Sequence, residues 1–361
     1  RFANRFSNFW FCIQTFHYMP DTQTGYRLYP LHKLYGYRLM TARYEAELEL
    51  LVFAQWHGVA LRSIPVSVYY PPREERVSHF RPGLDFTRIS ILNTFLCLLA
   101  LVYALPLWLL RTLATVLRTV LTAVLLLVPL MFFFTPLIRL YVTIGKMTAQ
   151  KKWRIHLLMY HVLRLAALRI GIPGVRFKCK VHPDADFNRP SVVVCNHQSH
   201  LDLIYLLTLS PRLIFLTNDW AWHNPFYGFI IRHAEYYPAS MGIDALMPHM
   251  KSLVERGYSV AIFPEGTRSV DLQIGPFHRG AAYIANELGI GITPILLYGT
   301  GRVLRKHSHH LSKGTVRLEV GKPISWETLQ QQLTLKRQTR QLHDSYVRWL
   351  SRVDDEMVRE Q

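Results

Sequence analysis

Two stretches of this chain, Ile89 to Leu110 and Thr119 to Ile138, contain no charged residue. A run of about 20 apolar residues crosses the hydrocarbon core of a bilayer as a helix. Only a short connection carrying Arg111 and Arg118 separates the two, so the pattern predicts a two-helix transmembrane hairpin over 89–141. Arg73, Arg76, Arg81 and Arg88 precede it, and Lys146, Lys151, Lys152 and Arg154 follow it. Positive charge accumulates on the cytoplasmic side of membrane segments, which places both flanks there and predicts a multi-pass protein of the cytoplasmic membrane. Pro106, or Pro129 with Pro136, offers an alternative in which one kinked segment lies in the interface. Two buried helices of a soluble core are a third option, disfavoured by the length of the runs.

Beyond the apolar runs the periodicity changes. Residues 151–170 alternate Trp153, Leu157, Tyr160, Leu163 and Leu168 with basic residues at helical spacing, which predicts an amphipathic helix on the lipid surface or on the domain that follows. Strand-like runs then fall near 175–181, 191–195, 213–217, 258–263, 292–298 and 315–320. Helical stretches fall near 201–209, 244–256 and 279–288. Such alternation predicts an α/β fold with a mixed, largely parallel sheet and flanking helices over 151–330. Residues 331–361 read as a basic helical C-terminal tail. Ahead of the membrane segment, residues 1–82 read as part of a mixed α/β unit. A helix is expected over Thr41 to Trp56, with Glu45, Glu47 and Glu49 off its apolar face, and a strand over Ser63 to Tyr70, closed by Pro71 and Pro72.

Charge narrows the partners. The chain holds 42 Lys and Arg against 24 Asp and Glu, a formal net charge of +18. Either nucleic acid or an anionic membrane surface accounts for such a balance. No zinc-finger spacing, RNP-type aromatic motif or basic block accompanies it, so no nucleic-acid partner is expected and membrane lipids are. Cys12, Cys97, Cys179 and Cys195 share no metal-ligand spacing, and no secretory signal opens the chain, which fits free thiols in a cytoplasmic setting.

Two polar clusters sit where buried strands end, the place at which open α/β sheets build their sites. Asn196-His197-Gln198-Ser199-His200-Leu201-Asp202 follows the run Val192 to Cys195, and Phe263-Pro264-Glu265-Gly266-Thr267-Arg268-Ser269 follows Val260 to Ile262. On a continuous helix His197 and Asp202 would diverge by about 140°. They meet only if the chain leaves strand geometry at Asn196 and starts a helix near Ser199. Ser199 and Asp202 also fit a helix-start pattern, which supplies a purely structural reason for the carboxylate. If they meet, a neutral imidazole can take a proton from an alcohol while the carboxylate fixes its tautomer. Two other readings stand beside this one: His197, His200 and Asp202 as metal ligands, or Cys195 as a nucleophile. In the second cluster Pro264 and Gly266 shape a tight turn with free N–H groups, and Arg268 offers a forked donor for phosphate. Glu265 would repel phosphate, so it is expected to hold Arg268 or an acceptor hydroxyl. A polar turn with a surface ion pair is the plain alternative.

The order N-H-x-x-x-x-D, F-P-E-G-T-R-S, Phe277-His278-Arg279-Gly280-Ala281 and Ile292-Thr293-Pro294-Ile295 resembles the glycerolipid acyltransferase family over about 170–325, whose members include 1-acyl-sn-glycerol-3-phosphate acyltransferases. The resemblance implies transfer of an acyl group from a thioester, acyl-CoA or acyl-carrier protein, to a hydroxyl of a lysophospholipid or glycerol-phosphate-type acceptor. His197 would be the general base and Asp202 its orienter. Asn196, Glu265, Gly266, Thr267 and Arg268 would bind the acceptor, and Pro294 would shape the acyl site. No metal and no bound cofactor is implied. One departure is visible. The family's second motif ends in an arginine, and the aligned stretch Ala234-Glu235-Tyr236-Tyr237-Pro238-Ala239-Ser240 places Ser240 there, with Arg232 nearby. Separately, Asp21 to Tyr29, Tyr44 to Glu47 and Tyr69 to Pro72 resemble the C-terminal part of family 2 glycosyltransferases. That likeness implies an acceptor-side remnant whose nucleotide-sugar half would precede residue 1, and it leaves an alternative function: a fragment of a membrane glycosyltransferase acting on a lipid carrier, with the acyltransferase part acylating a glycolipid.

Overall fold

The structure is a computed structural model that describes residues 2–30, 34–59, 61–67, 81–331 and 334–360. It divides into two compact units, residues 1–113 and 114–361. In the first unit, helices α1 (Phe2–Thr15) and α2 (Tyr44–Trp56) pack with the start of a long helix, α3 (Gly83–Thr143). Phe11, Leu51, Val52, Leu92 and Leu96 form its core. The Trp56 indole donates to the Gln14 carbonyl at 2.7 Å, and the Gln14 amide donates to Asn93 Oδ1 at 2.9 Å. Glu45 and Glu49 are buried rather than solvated, and Glu49 accepts the N–H groups of Met40 and Thr41 at 2.8 and 2.9 Å. Arg27 turns inward, donating to the Thr22 carbonyl at 2.8 Å and pairing with Glu47 at 3.5 Å. The strand expected from Ser63 is irregular through Ser67. Its remainder, with Tyr69 to Pro72, Arg73 and Arg76, lies outside the described residues.

The hairpin expected over 89–141 is not formed. A helix runs through the supposed connection as Leu105–Thr122 within α3. The prolines are absorbed instead of turning the chain. Widened, π-type turns occupy Ala100–Ala104, Ala123–Leu127 and Leu130–Phe134, each just before Pro106, Pro129 or Pro136. A proline lacks the N–H of the i→i−4 ladder and pushes against the preceding turn, and a wider turn relieves both conflicts. The two arginines are used by the units themselves: Arg111 donates to the Trp56 carbonyl at 3.3 Å, and Arg118 to the Leu311 carbonyl at 3.2 Å. By length and composition α3 is able to cross a membrane.

The second unit is a three-layer α/β/α sandwich. Its seven strands are β1 (Val175–Val181), β2 (Val192–Cys195), β3 (Leu213–Thr217), β4 (Tyr237–Pro238), β5 (Ser259–Ile262), β6 (Ile292–Tyr298) and β7 (Gly314–Val320). They lie in the order β1-β7-β6-β2-β5-β3-β4, parallel except where β6 meets β7. The central strand β2 is buried on both faces, and the side chains alternate between them. Val193 and Cys195 join a cluster with α4 (Ala149–Arg164) and α5 (Leu201–Leu206), whereas Val192 and Val194 join one with α6 (Ile243–Glu255), α7 (Gly280–Leu288) and α8 (Leu335–Arg359). A strand covered on both faces reads as an unbroken apolar run, as this one does.

Two segments are built in more deeply than their sequences predict. Helix α4 buries Lys151, Ile155 and His156 within the domain, so it is one of the sandwich's own helices. The supposed C-terminal tail is α8, which packs Leu342, Tyr346, Leu350, Val353 and Met357 into the core. Tyr346 Oη donates to the Val194 carbonyl at 2.7 Å and accepts from the Ile295 N–H at 3.0 Å, bridging β2 and β6.

Candidate active site

Strands β2 and β5 are parallel neighbours, with Val194 beside Ile262, so the chain leaves both at the same edge of the sheet. From β2 it passes through α5 on one face to β3. From β5 it passes through α7 on the opposite face to β6, on the far side of β2. The two connections run on opposite faces from neighbouring strand ends, the switch-point topology at which such sheets bind ligands. Both polar clusters read from the sequence follow these strand ends.

Helix α5 starts at Leu201, and Asp202 lies in its first turn. The carboxylate accepts the Ser199 N–H at 2.8 Å and the Gln198 N–H at 2.7 Å, so it closes the helix start much as a capping box does. The same oxygen, Oδ2, lies 2.8 Å from His197 Nδ1. The helix-start role and the orienting role of Asp202 are therefore one arrangement. The Asp202 side chain is fully buried and that of His197 is 17 % exposed. With Nδ1–H donating to the carboxylate, the neutral ring presents its Nε2 lone pair as the acceptor. Phe263 stacks on the imidazole at 4.0 Å between centroids and limits its rotation.

Glu265 does something other than expected. It neither pairs with Arg268 nor reaches outward. It is buried, with Oε1 accepting the His197 N–H at 2.8 Å and Oε2 accepting the Gly275 N–H at 2.9 Å. Burial pushes its carboxyl above the usual carboxylate range, while the two backbone donors pull the other way. The Ser269 N–H donates to the His197 carbonyl at 2.8 Å, which ties the second cluster to the first on both sides of the histidine backbone. Gly266, at φ +66°, lets the turn reverse beside His278. Thr267 is exposed and Arg268 half-buried. Among the described residues no carboxylate forms an ion pair with the Arg268 guanidinium. Sequence reasoning missed Lys306, whose ammonium donates to the Arg268 carbonyl at 2.9 Å and to Thr267 Oγ1 at 3.2 Å. One lysine in a basic tract gives no local signal of such a contact.

Two expected site residues lie elsewhere. Asn196 is fully buried, and its amide is spent on Leu297, donating to the carbonyl at 2.9 Å and accepting the N–H at 2.8 Å. It extends the pairing of β2 with β6. Pro294 sits early in β6, opposite Val194. It lines a cavity of about 590 Å³ with Glu319, Gly321 and Trp349. The rival chemistries fare no better. Cys195 is buried, and that burial pushes its thiol well above the usual range, which makes it a poor nucleophile. Among the described residues no group of three His, Cys, Asp or Glu side chains is placed to hold a metal ion. His200 is exposed, and burial of part of its ring, then Arg268, lowers its pKa. At the departure from the second motif, Ser240 donates to Asp219 Oδ1 at 2.5 Å, and Arg232 donates to the Trp222 carbonyl.

Residues 176–298, which contain the His197–Asp202 pair and the Glu265–Arg268 turn, match the family model described as Acyltransferase. Among named relatives, a chloroplast 1-acyl-sn-glycerol-3-phosphate acyltransferase of Brassica napus is 38 % identical over 141 residues, which cover 37 % of this chain and 41 % of that protein. The 1-acyl-sn-glycerol-3-phosphate acyltransferase of Saccharomyces cerevisiae is 28 % identical over 179 residues, covering 47 % of this chain and 56 % of its own. The chain thus spans about two fifths of the length of the first of these relatives. The crystal structure of the 1-acyl-sn-glycerophosphate acyltransferase from Thermotoga maritima superposes with a TM-score of 0.58 at 17 % identity, over 68 % of this chain and 98 % of that one, which establishes the shared fold. The family match begins at residue 176, so the glycosyltransferase likeness expected over 1–82 lies outside it and is unsupported.

Proposed function

We propose that the second unit is an O-acyltransferase that moves a fatty acyl group from a thioester to the free hydroxyl of a 1-acylglycerol 3-phosphate-type acceptor. The observation that carries this reading is the His197 Nδ1–Asp202 Oδ2 contact of 2.8 Å beside the Gly266–Arg268 turn. His197 Nε2 takes the proton of the acceptor hydroxyl as its oxygen attacks the thioester carbonyl. Buried Asp202 stabilises the imidazolium that forms. Collapse of the tetrahedral intermediate breaks the C–S bond, and the departing thiolate recovers the proton from His197. Arg268 holds the acceptor phosphate, and acyl-CoA or acyl-carrier protein serves as donor. The helix α3 keeps the unit at the membrane that holds its lipid substrate, with the active site on the cytoplasmic side.

The test is acyl transfer by the detergent-solubilised chain, with lysophosphatidate and an acyl thioester. His197→Ala lowers kcat by about 10²–10⁴-fold while circular dichroism stays unchanged. Near-wild-type turnover by that variant would sink the assignment.

A further inference from the structure

We propose that Lys306 supplies the second cation of the acceptor-phosphate site, beside Arg268. This rests on the acyltransferase reading above and assigns a residue that the sequence motifs do not contain.

The placement of Lys306 follows from the chain after β6. Gly299, at φ +85°, turns it into the short helix Thr300–Val303 at the edge where β2 also ends. A Cβ added at Gly301 would stand 3.1 Å from the Gln198 side chain and 3.2 Å from its carbonyl, so this segment lies directly against the histidine loop. Ser199 Oγ donates to the Leu304 carbonyl at 2.9 Å and fastens it there. Two residues later the Lys306 ammonium reaches the turn, at the Arg268 carbonyl and Thr267 Oγ1. The segment is thereby tied to both polar clusters at once.

Charge gives the arrangement a purpose. An ammonium has three donors, and two are used on the turn. Among the described residues neither Lys306 nor Arg268 forms an ion pair with a carboxylate. Two uncompensated cations at one turn, which the Ser269 N–H ties to the backbone of the proton-accepting histidine, fit a dianionic phosphate monoester. The other basic residue considered for this role is occupied, since Arg232 is held by the Trp222 carbonyl. Ser240 is bound to Asp219.

The experiment uses the detergent-solubilised full chain and the variant Lys306→Gln, whose amide still donates to the turn but carries no charge. The ratio of KM for lysophosphatidate to KM for monoacylglycerol rises about tenfold or more, the worth of a charge-assisted hydrogen bond, and Lys306→Arg brings it back. A merely structural brace would raise both KM values together. That result, or an unchanged ratio, overturns the proposal. Binding is read separately from ³¹P line widths of lysophosphatidate and of inorganic phosphate titrated with each protein. Lysophosphatidate broadening that is lost in Lys306→Gln supports the assignment, and equal broadening with both proteins refutes it. Equal loss with inorganic phosphate marks a general phosphate site, whereas loss with lysophosphatidate alone marks a lipid-headgroup site. If the wild type transfers no acyl group, the functional reading fails while the binding comparison still decides the role of Lys306.

Discussion

The Glu265 carboxylate accepts the backbone N–H of His197 at 2.8 Å, across 68 positions of sequence. The carboxylate of the second cluster therefore acts on the first cluster's histidine instead of on substrate. Its other oxygen is held by the Gly275 N–H, so the loops after β2 and β5 share one buried anchor. This contact fixes where the imidazole stands before any ligand arrives.

Glu265→Gln replaces one acceptor oxygen with an amide NH₂ that must face a backbone N–H. One buried donor is left without an acceptor, which costs about 1–3 kcal/mol of stability. Thermal melting should show that loss. Steady-state kinetics should show a fall in kcat with little change in acceptor KM, because the base is displaced and the phosphate turn is not. A wild-type kcat would exclude the anchoring role.

Asp202→Asn keeps the shape but removes the charge of a side chain whose single oxygen Oδ2 serves both duties. With the amide oxygen at the Oδ2 position, the Gln198 and Ser199 N–H groups and His197 Nδ1–H all keep their acceptor, so the start of α5 persists and the melting temperature moves little. What is lost is the negative charge that stabilises the imidazolium formed as His197 takes the proton. Turnover should fall by about 10²–10⁴-fold, as it does for loss of a general base. Asp202→Ala, which loses the helix start as well, should melt lower than Asp202→Asn.

The turn offers a contrast between shape and charge. Arg268→Ala should raise KM for a phosphorylated acceptor and leave the melting temperature alone. Gly266→Ala should do both kinds of damage. Its φ of +66° is unfavourable for any other residue, and the new Cβ would meet His278 Cδ2 at 3.3 Å. The backbone conformation alone costs about 1–2 kcal/mol. An Arg268→Ala enzyme with unchanged KM would remove the arginine from the phosphate site.

Stability should fall at mildly acid pH because of His156, far from the chemistry. Burial pushes this imidazole from 6.5 down to about 4; the neighbouring Glu235 carboxylate acts in the opposite sense. Its Nε2 is buried without a hydrogen-bond partner. Between those two values the unfolded chain binds more protons than the folded one. The contribution of His156 is therefore fully present above pH 6.5 and is lost as pH falls toward 4. The loss approaches about 3 kcal/mol at the acid end. Melting curves from pH 7 to pH 4.5 should decline steeply for wild type and less so for His156→Phe. Parallel declines would assign the acid sensitivity elsewhere.

Much of the fold is present in the amino-acid order because periodicity is a local property. The apolar runs at Val192, Val260 and Ile292 could only be strands covered on both faces, and the change of period after each marked the next helix. Ser199 and Asp202 announced a helix start. His197, standing one step before it, was thereby placed within reach of the carboxylate. What the local pattern lacked was partners. Prolines that offered a kink in 89–141 are accommodated by widened turns, a matter of how the backbone ladder is re-paired. The basic C-terminal segment became a core layer because Tyr346 finds its hydrogen bonds on β2 and β6. Asn196 and Pro294 looked like site residues from their motifs, yet pairing with β6 turned one inward, and the other lines a cavity with Glu319 and Trp349. The sequence by itself thus determined most strands and helices of the second unit and made a His197–Asp202 contact possible, since the two groups are five residues apart across a helix start. Only the tertiary structure decided that Glu265 grips His197 and that Lys306 joins Arg268. Those contacts depend on strands that are neighbours in the sheet but distant along the chain.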